Sequence, residues 1–231
     1  MNTVTRITKA GSREGQSNVM PLRVRQFQSH ELHRGYRVWQ ETNCYVDLWI
    51  ELLHSYGLDP CAALGFTVTQ DFEGDQFTVC KFPLENLDQL YGLQVRELAI
   101  YDSLENHVHT QIQRGHIVLA EVDEFYLPNT QGKSYRREHK KTTIGMDYIN
   151  TRAGRLGYFH NTGYFLLSGE DYGGLFGRQP NPGDQRELLS PYVEFSKRVK
   201  PPLRGTELAE ASADLLVGLL GRRPAYNPIQ Q

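Results

Sequence analysis

The hydrophobic pattern is clearest between residues 43 and 57. Apolar side chains recur at Tyr45, Leu48, Trp49, Leu52, Leu53 and Tyr56, while Asp47, Glu51 and His54 fall on the other side, the 3.6-residue period of an amphipathic helix. Asn43 has the chemistry of an N-cap, and Gly57 followed by Pro60 supplies the stop. Gln76 to Phe82 alternates as a strand, and Pro83 to Tyr91 reads as a short helix with Pro83 at its first position and Gly92 at its end. Ser103 caps a further helix whose seam is Leu104, Val108 and Ile112, with Gly115 as its stop. The run Ile117 to Ala120 is apolar on both faces, as a central strand is, and leads through Glu121, Val122 and Asp123 to a loop at Leu127 and Pro128. His139 to Ile149 and Arg155 to Asn161 pair as a hairpin around Asn150 to Gly154, and Tyr164 to Leu167 extends the sheet. A Gly/Pro-rich stretch from Gly173 to Gly183 then breaks it, and Glu207 to Leu220 forms a last amphipathic helix. The pattern predicts an α+β domain, helix first and sheet after, without an internal repeat.

Composition narrows the class. A chain of 231 residues with 39% hydrophobic content can bury one sizeable core. Lys plus Arg total 25 against 27 for Asp plus Glu, so no charge imbalance points to nucleic acid or to an anionic membrane. Three cysteines, Cys44, Cys61 and Cys80, make an odd set without C-x-x-C spacing, which argues against a zinc cluster or a disulfide scaffold and for a reducing cytoplasm. Met1 to Val19 has no apolar core of a secretory signal. Residues 1–20 are expected to be a disordered lead-in, 21–203 one α+β domain, and 204–231 a helix and tail from which a further helical region would continue in a longer chain.

Candidate chemistry starts at Cys44. At the first turn of the helix it meets unpaired backbone N–H groups and the positive end of the helix dipole, which stabilise a thiolate. The competing reading is a small buried thiol in a core helix. Along the first strand of the hairpin, alternation sets His139, Lys141, Thr143 and Gly145 on one face, away from the more apolar one. A cysteine at a helix N-terminus facing such a histidine forms a thiolate–imidazolium pair, with a carboxylate or amide on the next strand, where His160 and Asn161 stand, orienting the ring. A surface histidine in a charged loop is the alternative for His139. Gln40 or Asn43, with the Cys44 N–H, would hold an oxyanion. His107 and His109 lie on different faces of their helix, and Asp71, Glu73 and Asp75 lack the spacing of a calcium loop, so no metal is expected. Lys133, Arg136, Arg137, Lys140 and Lys141 against Glu138 give a local charge of five minus one, +4, a rim that would steer an acidic partner. A solvated loop is the alternative there.

The segments Asn43 to Trp49, Asp71 to Gln76, Glu121 to Pro128 and Gly157 to Tyr164 resemble a bacterial family known only as a domain of unknown function, DUF1839, over roughly Val38 to Pro202. More distantly, the order of a cysteine helix, a strand ending at Asp123 before Tyr126-Leu127-Pro128, and a histidine strand with Gly145 is similar to the amino-terminal domain of the butirosin-biosynthesis acyltransferases. That resemblance implies a papain-like fold, a nucleophile helix packed on an antiparallel sheet. It implies Cys44 as nucleophile, His139 as base and Asn161 as orienting residue, and it implies transfer of an acyl group from the phosphopantetheine thioester of an acyl or peptidyl carrier protein to a small amine, with no cofactor of the protein's own. His160 could take the third role instead of Asn161, Gln40, Asn43 and Asp123 are the oxyanion or supporting candidates, and within the basic rim Arg136, Arg137 and Lys140 would meet the carrier. A papain-like amidase or peptidase and a non-catalytic accessory protein are the other two readings.

Overall fold

In the computed structural model, residues 24–34, 43–69, 72–76, 82–178 and 191–222 are described. Gln40, Cys80, the expected lead-in and most of the strand expected over Gln76 to Phe82 lie outside them.

The helix read around Cys44 forms as α1, Cys44–Ser55, with the Asn43 side chain accepting from the Val46 N–H at 3.2 Å. Twelve residues are too few for a stable helix in water, so the apolar stripe must hold it. Leu48, Leu52 and Leu53 are wholly buried, each contributing about 1.5–3 kcal/mol. A 3₁₀ stretch, Pro60–Thr69, follows, and then α2, Leu84–Tyr91, in which Pro83 stands at the cap, one place earlier than the pattern suggested. Gly92 ends α2 at φ 66°, where an added Cβ would meet the Lys200 carbonyl oxygen at 2.2 Å.

Among the described residues, six strands make one antiparallel sheet: β1, Leu93–Glu97; β2, Ile117–Asp123; β3, Lys141–Asn150; β4, Arg155–His160; β5, Gly163–Ser168; and β6, Val193–Arg198. Their spatial order is β1-β6-β2-β3-β4-β5. The β3–β4 hairpin and β5 match the pattern of alternation. β1 and β6 were not legible, because each is a short strand whose only partners lie far away in the sequence. β6 enters between β1 and β2, with Ile117 opposite Ser196 and Leu93 opposite Arg198.

Helices cover both faces. On one, α1 and α2 pack with the 60–69 stretch over Leu93, Ile117, Leu119, Phe159 and Tyr164, and the last helix, α5, Gly205–Leu220, lies against that stretch. On the other, α3, Leu104–Gln113, and α4, Gly169–Leu175, cover Val118, Ala120, Val122, Ile144, Met146 and Leu156. α4 occupies the start of the stretch expected to be a break. Gly145 marks the closest approach of α1 to the sheet: a Cβ there would lie 3.2 Å from Leu48 Cδ1 and 3.3 Å from Leu52 Cδ1. A helix lies this near a strand only where the side chain is missing.

Residues 24–34 run along the outer side of α1. His30 N–H donates to both oxygens of Glu51, at 3.0 and 3.1 Å. His33 inserts between Glu51 Oε1, 2.6 Å from its Nδ1, and Asp47 Oδ1, 3.1 Å from its Nε2. No described helix is long and apolar enough to cross a membrane.

Candidate functional site

Cys44 opens α1 and is half-buried, with its sulfur in no disulfide. Leu48 stands one turn later on the same side of the helix and rests on Gly145, so the α1 N-terminus overlies the same face of the sheet. Tyr45 extends from that terminus to Glu194 on β6, its hydroxyl donating to Oε2 at 2.8 Å. Glu194 is only 5% exposed and accepts a second hydroxyl, from Tyr192, at 2.7 Å. Burial and the Glu194 carboxylate hold both tyrosines well above the usual phenol range.

Glu194 and Gly145 both stand level with Leu119 of β2. Along β2, Leu119, Glu121 and Asp123 alternate onto the face that α1 covers, whereas Val118, Ala120 and Val122 enter the opposite core. Asp123, the last residue of β2, is the hinge of the site. Its Oδ1 accepts from the Phe125 N–H at 3.0 Å, and its Oδ2 lies 2.7 Å from Nδ1 of His139. The Phe125 ring stacks on the imidazole, centroids 4.2 Å apart and planes 24° from parallel. His139, just ahead of β3 rather than within it, therefore has one nitrogen engaged by a carboxylate and one face covered. With 41% of its side chain exposed, the imidazole remains open to solvent.

The structure thus brings His139 together with Asp123, while Cys44 stands at the start of α1, above the face that carries Leu119 and Gly145. Among the described residues no hydrogen bond joins Cys44 to His139. The ring partner of His139 comes from the preceding strand, β2, and not from β4 as the sequence suggested. Asn161 occupies the two-residue turn between β4 and β5 at φ 49°, a left-handed conformation that asparagine tolerates well. His160 points to the opposite face. It is 1% exposed, with Nδ1 2.7 Å from Asn129 Nδ2 and Nε2 2.9 Å from Thr142 Oγ1. Burial pushes its pKa down to about 4, so its ring is neutral. Gln40 lies outside the described residues, and the oxygen of Asn43 caps α1.

The basic rim is largely paired. Arg136, at φ 55°, reaches Asp171 of α4 at 2.5 Å and Glu170 at 3.7 Å, and its guanidinium lies over Phe125, Tyr126 and Tyr135. Lys140 meets Glu138 at 2.5 Å, and Lys141 meets Glu121. Three of the five cations therefore face carboxylates, and of these carboxylates Glu121, Glu170 and Asp171 lie outside the short window that gave +4. The residue that sequence reasoning undervalued is Glu194, since nothing local to Val193–Arg198 ties it to Tyr45.

Helices packed on both faces of an antiparallel sheet define an α+β protein. The profile of the DUF1839 N-terminal domain matches residues 28–198, and the chain belongs to that family. No curated protein matches it.

Proposed function

We propose that this protein is a cysteine-dependent acyl-transfer enzyme on a papain-like scaffold, with Cys44 as nucleophile, His139 as general acid and base, and Asp123 as the group that orients the imidazole. The observation that carries the proposal is the 2.7 Å contact between Asp123 Oδ2 and His139 Nδ1, at the end of β2, the strand whose Leu119 pairs with Gly145 beneath α1. The carboxylate fixes the tautomer with the proton on Nδ1, leaving Nε2 to take a proton from a thiol or an amine and give it back. Attack of the Cys44 thiolate on a thioester carbonyl forms a tetrahedral oxyanion, and its collapse expels the donor thiol, which takes its proton from His139. An amine then attacks acyl-Cys44, passes its proton to His139, and releases Cys44 with the amide formed. The backbone N–H of Cys44 at the helix start is placed to donate to the oxyanion.

An amine as acceptor is supported by Glu194, a buried carboxylate that accepts from the hydroxyls of Tyr45 and Tyr192 and so lies beside the residue after the nucleophile. A carrier-bound thioester as donor rests on the similarity to the butirosin-biosynthesis acyltransferases. Intact-mass measurement after incubation with an acyl thioester tests the reading. An acyl adduct on Cys44, lost in Cys44→Ser and discharged by added amine, is expected. Acylation at Cys61 or Cys80 instead would overturn the assignment, and discharge by water as fast as by amine would make the protein a hydrolase.

A further inference from the structure

His30, Asp59 and Cys61 converge away from the Cys44 face. One ligand atom from each, an imidazole nitrogen, a carboxylate oxygen and the thiol sulfur, lies within 4.8 Å of the other two. They come from different elements: His30 precedes the 3₁₀ turn Glu31–His33, Asp59 stands in the loop after α1, and Cys61 lies in the first turn of the 60–69 stretch. We propose that these three side chains bind a zinc ion that clips the 24–34 segment to the corner between α1 and the 60–69 stretch.

The donor set argues for the ion. Sulfur, nitrogen and oxygen ligands together suit borderline-soft Zn²⁺, whereas calcium and magnesium take oxygen alone. Bonds of about 2.0–2.3 Å place two zinc ligands closer than 4.8 Å, so the three need a closure of about 1 Å, within reach of side-chain rotation.

Each donor has a lone pair to give. Asp59 Oδ1 accepts the Cys61 N–H at 2.9 Å, which leaves Oδ2 for a metal and fixes the turn that carries the thiol. His30 Nδ1 takes only a long bond of 3.3 Å from the Leu32 N–H. Cys61 is a free, exposed thiol. The His54 ring stands beside that of His30, centroids 5.1 Å apart, while its Nε2 faces the Gln28 carbonyl at 3.2 Å. Three protein ligands leave a fourth position for water or a small ligand.

Zn²⁺ displaces the thiol proton as the S–Zn bond forms, so uptake releases one proton. Sequence spacing concealed this group because His30 lies far along the chain from the Asp59–Cys61 pair.

The test uses the full chain, stripped with a chelator and titrated with Co²⁺ as a spectroscopic stand-in and with Zn²⁺ itself. One equivalent should bind with a thiolate-to-cobalt charge-transfer band, which Zn²⁺ bleaches. The band should vanish in Cys61→Ser and persist in Cys44→Ser. Asp59→Asn and His30→Gln should weaken zinc by about tenfold or more, with circular dichroism confirming that each variant is folded. Bound Zn²⁺ should also shield Cys61, but not Cys44, from iodoacetamide. A cobalt spectrum without a thiolate band, a band that survives in Cys61→Ser, or alkylation of Cys61 unaffected by zinc would each overturn the proposal. None of these readouts depends on acyl transfer.

Discussion

At the scale of single residues, the site turns on which carboxylate holds His139. Asn161 was the expected partner because the resemblance supplies an amide after the histidine, yet chain order does not say which strand lies beside the histidine strand. The sheet sets β2 and β4 on either side of β3, and the side chain that faces the imidazole is Asp123 on β2. The two roles separate by experiment. Asp123→Ala should slow acylation of Cys44 by a small thioester by about a hundredfold, the scale of a lost acid–base contribution. Asn161→Gly, which suits the left-handed turn, should change it by no more than about twofold. A large loss in the Asn161 variant with a folded protein would restore the amide to the catalytic group. The helix that Cys44 opens was legible from its period, whereas His139, expected within the first strand of the hairpin, stands ahead of it. Glu194 was not, since its two tyrosine partners, one of them Tyr45 near the helix start, assemble around it only in the fold.

Among elements, the contact between α1 and the 24–34 segment has its own pH dependence. Burial alone would lower the pKa of His33, but its hydrogen bonds to Asp47 and Glu51, with the charges of both, outweigh that and raise it from 6.5 to about 9. The folded state therefore holds the proton more tightly than the unfolded chain. That stabilisation is fully present below the unfolded value of 6.5 and is lost as pH rises through about 9. The melting temperature should fall across this window, and His33→Gln should flatten the fall while lowering the melting temperature at pH 6. A fall unchanged in the variant would remove His33 as its cause. Asp47 Oδ2, buried without a hydrogen-bond partner, adds to the cost of losing the imidazolium, since two carboxylates would then share a dry site. The sequence pattern assigned Asp47 and Glu51 to a polar outer face. They are buried because a segment well before α1 covers them with a histidine, and helical periodicity cannot report what covers its polar side.

For the molecule as a whole, the sheet depends on a strand that arrives late. β6 sits between β1 and β2, so β1 reaches the rest of the sheet only through it. A chain ending at residue 190 should lack cooperative thermal unfolding even though α1 to β5 are all present. A sharp melt in that truncation would show that the β2–β5 part folds by itself. The α+β class and the helix-on-sheet arrangement were legible from the order of periodic segments. The strand order was not, because pairing between segments about a hundred residues apart leaves no local trace.

The place of β6 also bears on synthesis. Glu194 reaches Tyr45 across 149 positions of the chain, so a nascent polypeptide displays its thiol-bearing segment long before the strand that completes the surroundings of that thiol has been made. Until residue 198 clears the ribosome, Ile117 and Leu119 lack the backbone of β6 that pairs with theirs. The sheet is then completed in one late step, as translation delivers the strand that joins β1 to β2.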